Sequence, residues 1–213
     1  MKLHSITPVR ELDRGKSRLS SLLEPSQRKM LSRKMLYGVL STIRASKIMT
    51  EMIVVSPDKE VMNIATEFGA RGIKEESELG VNIAVEKGVD YAIRNRADAV
   101  VVLPADLPLL TVEDLSNLVK EAETGPTVVM TPSNRLDGTN ALLMMPPRIM
   151  QVHYDQDSFR SHVLEAMEQK VRLKTVLRKG LMSDIDEQAD LTEFVKSEAS
   201  SEAKAYLLAL GLT

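Results

Sequence analysis

Short apolar runs of four to seven residues alternate along the chain with longer stretches in which apolar residues recur every three or four positions. That alternation restricts the fold more tightly than any other feature, because runs of this kind are buried strands and the stretches between them are one-sided helices. The spacing predicts a strand at Leu3–Ile6, a helix from Ser26 to Ala45, a strand from Met52 ended by Pro57, and a helix capped by Asp58 that stops at Gly69. A short strand near Ile73 and a helix from Asn82 to Arg96 follow. The run AVVVLPADLP is the least ambiguous strand, since β-branched residues lead unbroken into a proline-bounded loop. Thr111 and Asp114 have capping-box spacing. PTVVMTP and ALLMMP read as strands flanking the loop SNRLDGTN, Asp157 is expected to cap a helix reaching about Lys170, and VRLKTVL reads as the last strand. Two helices at 187–195 and 197–210 close the chain, the second packing either on its own domain or on a second copy. The expectation is one α/β domain over 1–213, three layers deep, with a mostly parallel sheet and helices on both faces.

Composition narrows the function. At 213 residues and 43% hydrophobic content the chain can bury a substantial core unaided. A net charge of −2 gives no basic excess for nucleic acid or a membrane surface, so any polyanionic ligand must be met by locally placed cations. The absence of cysteine removes disulfides, thiolate nucleophiles and sulfur-ligated zinc. No apolar run approaches the roughly 18 residues of a spanning helix, and MKLHSITPVREL lacks a signal-like stretch, so a cytoplasmic protein is expected.

In a parallel sheet, ligands lie beyond the carboxyl ends of the strands. Four loops there carry chemistry. Gly15-Lys16-Ser17 ends like a Walker A motif, but the first glycine is missing because Arg10 stands in its place, which excludes a P-loop. What remains is three cations, Arg10, Lys16 and Arg18, in a loop leaving a strand: either a triphosphate clamp or solvated side chains. Asp106, held between Pro104 and Pro108, is either a metal ligand or a turn former. Asp184 and Asp186, two apart in extended backbone, face one side and call for a cation such as Mg²⁺, unless one of them caps the helix at Glu187. An Asp-x-Asp phosphatase is disfavoured because its pair follows the first strand, not the last. Thr139, after Gly138, offers a hydroxyl for phosphate or carboxylate, or else ordinary turn chemistry; Ser158 either caps its helix or helps that helix hold an anion. The three histidines show no ligand spacing and receive no catalytic role, and the methionines read as core filling.

Taken in order across almost the whole chain, PVRELDRGKSRLS, GVNIA, LPADLP, LDGTNALL, DSF followed by His162, and DIDEQADL resemble the 2-phospho-L-lactate guanylyltransferase family. The resemblance implies a nucleotide-diphospho-sugar transferase-like fold and Mg²⁺-dependent transfer of GMP from GTP to the phosphate of 2-phospho-L-lactate. The products would be lactyl-2-diphospho-5′-guanosine and pyrophosphate, in the coenzyme F(420) biosynthesis of methanogenic archaea; related enzymes use phosphoenolpyruvate. It further implies that Asp106, Asp184 and Asp186 hold metal and that Arg10, Lys16 and Arg18 face the triphosphate. Asn82 would line the nucleotide site, Thr139 and Ser158 the phospho-acid, and Asp106, Lys16 and Arg10 would act on the reacting phosphates. A homodimer is also implied. Two positions depart from the family pattern. Arg10 replaces the usual Lys after Pro-Val, and Tyr154-Asp155 replaces Phe-Gly before Ser158, which bears on the shape of the acceptor pocket. The competing readings are a non-catalytic nucleotide-binding subunit, against which all three aspartates are retained, and a sugar-phosphate or molybdopterin nucleotidyltransferase, whose glycine-rich first loop is missing.

Overall fold

A computed structural model describes residues 1–122 and 125–212; Glu123, Thr124 and Thr213 of the expected 1–213 domain lie outside the described residues. Seven strands, β1 (Leu3–Pro8), β2 (Glu51–Ser56), β3 (Arg71–Lys74), β4 (Ala99–Val102), β5 (Thr127–Pro132), β6 (Thr139–Met145) and β7 (Arg172–Thr175), form one sheet in the order β3-β2-β1-β4-β6-β5-β7. β1 pairs in parallel with β2 and β4, as do β2 with β3 and β5 with β7. Only β6 runs against its neighbours. The loop from β5 to β6 is too short for a crossover, so β6 returns as a hairpin and brings its first residues, not its last, to the edge where the other strands end.

Alternation along the strands feeds two cores. Ile6, Ile53, Val55, Val100 and Val102 point to the face covered by α3 (Val81–Arg94) and α5 (Ser158–Glu168). Leu3, Val54, Ala99 and Val101 point to the opposite face, under α1 (Pro25–Ser46), α2 (Lys59–Glu67), α4 (Val112–Lys120) and the short α6 (Lys179–Met182). The three-layer arrangement thus follows from the period of two in the strands and the apolar stripe Leu31, Met35, Leu36, Val39, Leu40 and Ile43 of α1. A further apolar cluster joins α1 to α7 (Gln188–Lys196) and α8 (Glu202–Ala209) through Leu31, Met35, Phe194, Ala203 and Leu207. The last helix therefore spends its apolar side on its own chain.

Asp58 and Thr111 cap α2 and α4 as expected, each accepting a backbone N–H. Asp157 does not cap α5. Its backbone is left-handed (φ 50°, ψ 49°), outside the extended region an N-cap needs, and its carboxylate accepts nothing from the first turn. Neither Asp184 nor Asp186 caps α7: Glu187 is its N-cap, in a capping box with Asp190, whose carboxylate accepts from the N–H groups of Asp186 (3.0 Å) and Glu187 (2.8 Å). The two 3₁₀ turns at Leu12–Arg14 and Ser17–Leu19, and α6, are too short to show a period in sequence.

Gly180 in α6 lies against the start of α4. A Cβ there would meet the Asp114 carboxylate and the Leu109 carbonyl oxygen, the latter at 2.6 Å. Because backbone and a capping carboxylate cannot both give way, Gly180→Ala is expected to destabilise the protein by about 2 kcal/mol or more despite alanine's better helix propensity. Urea unfolding of the variant measures it.

Candidate active site

The carboxyl ends of the parallel strands and the start of β6 enclose an open cleft of about 780 Å³, within the size range of small-molecule sites. Lys16, Asp106, Thr139, Ser158, Asp184 and Asp186 all line it, as do Arg10 and Arg18 at its mouth. Residues as far apart as 16 and 186 therefore share one site.

Its centre is a half-buried ion cluster. Lys16, only 9% exposed, donates to Asp106 and to Asp186, the latter at 3.0 Å. Burial pulls the Lys16 ammonium down, but the two carboxylates outweigh it and the net shift is upward. Asp186 is likewise pushed up by burial, and Lys16 with Arg135 and Arg18 carries it below the ordinary range. Asp184 has no contact with Lys16, and its nearest cation is Arg135 at 3.9 Å. Burial, reinforced by the charges of Asp106 and Asp186, lifts it to about 6, although the Asn140 side chain donates to it at 2.9 Å.

Arg135, which carried no signal in the sequence beyond being a basic loop residue, stands beside this cluster. Its guanidinium donates to both carboxylate oxygens of Asp190 at 3.1 Å and lies 3.6 to 3.9 Å from Asp137, Asp184 and Asp186. Since Asp190 also holds the Asp186 and Glu187 N–H groups, Arg135 ties the β5–β6 hairpin to the segment that presents Asp184 and Asp186. Asn134 N–H to the Met182 carbonyl (3.0 Å) and Asn140 to the same oxygen (3.0 Å) reinforce that tie. Asp137 is held below the ordinary carboxylate range, mainly by the Ser133 hydroxyl donating to it at 2.8 Å.

The other expected site residues fall around this centre. Arg10 and Arg18 are exposed and paired with Glu78 and Glu187, both at 3.3 Å, so neither reaches the carboxylate cluster. Asn82 is not in the cleft wall. Its side chain accepts from the Tyr154 N–H at 2.6 Å and donates to Asp155 at 3.0 Å, fastening α3 to the segment before α5, while its neighbour Val81 lines the cleft. Asp155 thus has a specific partner. Thr139 and Ser158 are buried side by side at the cleft wall, with hydroxyls 3.2 Å apart. Thr139 also lies 2.9 Å from Nδ1 of His162, whose Nε2 accepts the His153 N–H at 2.8 Å. Burial, aided by the charge of His153, lowers His162 to about 4, so the ring is neutral at pH 7. As the side chains stand, no group of three or more His, Asp or Glu among the described residues is spaced to hold a metal ion. The Lys16 ammonium lies between Asp106 and Asp186 instead.

The model of the CofC-like guanylyl transferases matches residues 3–213. The chain belongs to this family. Among similar guanylyltransferases, the phosphoenolpyruvate guanylyltransferase of Rubrobacter xylanophilus is 36% identical over 92% of this chain and 95% of its own length. The 2-phospho-L-lactate guanylyltransferase of Methanothermobacter thermautotrophicus is 32% identical over 100% of this chain and 93% of its own. Relatives of the family thus occur in both bacteria and archaea. Among solved structures, a nucleotidyl transferase from Methanothermobacter thermautotrophicus superposes with a TM-score of 0.71 at 17% identity, covering 98% of this chain and 99% of its own. A structure described as a nucleotide-diphospho-sugar transferase from Desulfovibrio desulfuricans G20 superposes at 0.80 with 14% identity, covering 99% and 96%. The guanylyl transferase chain therefore has the nucleotide-diphospho-sugar transferase-like fold.

Replacing Lys16 by Met leaves Asp106, Asp184 and Asp186 mutually repelling in a partly buried site and is expected to destabilise the metal-free protein by roughly 2 kcal/mol at pH 7.5. Carboxylates whose folded pKa is raised take up protons in the native state first, so native stability recovers as pH falls through that pKa. The difference in Tm between wild type and Lys16→Met, measured in chelator, should therefore narrow between pH 7.5 and pH 5.

Proposed function

We propose that this guanylyl transferase moves GMP from GTP to the phosphate of 2-phospho-L-lactate, releasing pyrophosphate and lactyl-2-diphospho-5′-guanosine. The observation that carries the proposal is the convergence of Asp106, Asp184 and Asp186 with Lys16 and Arg135 in one cleft. A phosphate oxygen with a second pKa of about 6 is already ionised at pH 7, so no general base is required of the protein. The barrier is the meeting of two anions. Cations and oriented donors must neutralise the triphosphate and hold nucleophile, α-phosphorus and leaving pyrophosphate in line.

The donor set suits Mg²⁺: it is all carboxylate oxygen, it carries more negative charge than Lys16 and Arg135 offset, and Asp184 is driven to about 6 by burial and, less strongly, by Asp106 and Asp186. Asp106, Asp184 and Asp186 would hold the ion, which would supply charge neutralisation at the phosphates. Lys16 would then release its carboxylates and turn to the triphosphate, joined by Arg10 and Arg18 from the mouth of the cleft. Asn82 would act on the nucleotide by fixing the wall, and Thr139 and Ser158 would hold the phospho-acid. A homodimer, which rests on the resemblance, and a cytoplasmic setting belong to the same reading; no described helix is long and apolar enough to cross a membrane.

A second acceptor, phosphoenolpyruvate, is favoured by the 36% identical relative named for it. Both are three-carbon acids phosphorylated at carbon 2, so the same cleft chemistry serves either.

The test is pyrophosphate release from GTP with Mg²⁺ and each acceptor in turn. Release is expected with at least one of the two and none in chelator, with Asp106→Asn slower by roughly a hundredfold or more. Because one phosphoanhydride is exchanged for another, added pyrophosphate should regenerate GTP from the product. Absence of pyrophosphate release with every small phospho-acid would end the proposal.

A further inference from the structure

His162 is fully buried on α5 and takes no part in the charge chemistry, yet both of its ring nitrogens are engaged. The His153 backbone N–H donates to Nε2 at 2.8 Å, so Nε2 carries a lone pair and the proton of the neutral ring sits on Nδ1. Nδ1–H therefore points at Thr139 Oγ1, 2.9 Å away, and fills one of its acceptor positions.

Two hydroxyl protons remain, those of Thr139 and Ser158. One makes the 3.2 Å bond between them. The other has no acceptor among the described residues, although both hydroxyls line the cleft. A ring with the opposite tautomer would take up that proton and turn oxygen lone pairs toward an incoming anion.

We propose that His162 is a positioning residue: its Nδ1–H makes the Thr139–Ser158 pair a net donor, leaving one O–H to meet an anionic oxygen of the phospho-acid acceptor. This rests on the placement of the acceptor at Thr139 and Ser158 proposed above. It gives a buried histidine a part in acceptor recognition without any contact with substrate.

Steady-state kinetics on the full-length protein test it, with KM for acceptor and for GTP measured separately. His162→Leu is expected to raise the acceptor KM about tenfold or more, the scale of one hydrogen bond to a charged group, with the KM for GTP unchanged. His162→Asn, whose side-chain N–H stands where Nδ1–H does, should recover most of the loss. In a Thr139→Val background His162→Leu should add less than about twofold, because the partner through which it acts is already gone. If His162→Leu does not fold, His162→Gln, which keeps an acceptor toward the His153 N–H and withdraws the donor from Thr139, carries the same comparison. Equal rises in both KM values, losses that add fully in the double variant, or no rescue by Asn would overturn the role of His162. An unchanged acceptor KM in Thr139→Val would instead overturn the placement of the acceptor, and this inference with it.

Discussion

The interaction on which the site depends is the Lys16 ammonium lodged between Asp106 and Asp186. These residues come from the loop after β1, the loop after β4 and the segment beyond β7. Among the described residues no backbone pairing links the first of these segments directly to the last; they meet through this cation, through the Arg18–Glu187 pair and through the apolar cluster that Leu19 shares with Ile185 and Leu191. The arrangement works because each carboxylate is the partial solution to another's burial. Where that compensation runs short, at Asp184, the carboxyl is forced up to about 6. Arg135 and Asp190 serve the same end from the opposite wall by fixing the backbone on which Asp184 and Asp186 are mounted.

Such a site is suited to chemistry in which charge is the obstacle. Among the described residues nothing lining the cleft is activated as a nucleophile, and the imidazole of His162, buried behind the wall, is neutral and turned toward a hydroxyl. The protein instead supplies a pool of carboxylate oxygens, cations that can change partners, and a pair of hydroxyls at a separate wall. That division matches a transfer between two anionic substrates, one bound through its phosphates and the other through its acid groups.

Much of this was legible in the sequence for identifiable reasons. Strand alternation and the α1 stripe are local periodicities, and they give the layers and most element limits directly. Asp106, Asp184 and Asp186 stand out because proline-bounded and closely spaced carboxylates at strand ends are unusual. What could not be read is what depends on contacts across the chain. Lys16 and Asp186 are 170 positions apart, and a basic loop residue gives no sign that it will be buried. Arg135 and Asp190 are 55 apart, and neither is distinctive alone. Asp157 failed as a cap because its backbone turned left-handed, and the Asn82 side chain is spent on Tyr154 and Asp155, which line the cleft in its place. His162 shows no ligand spacing, and its bonds to Thr139 and to the His153 N–H arise only from the fold.

A double-mutant cycle in chelator on Lys16→Met and Asp186→Asn, read by urea unfolding, tests most directly whether one cation holds the site together. The account predicts a coupling energy of about 1 to 2 kcal/mol between these two distant positions. Free energies that add to within about 0.3 kcal/mol would contradict it.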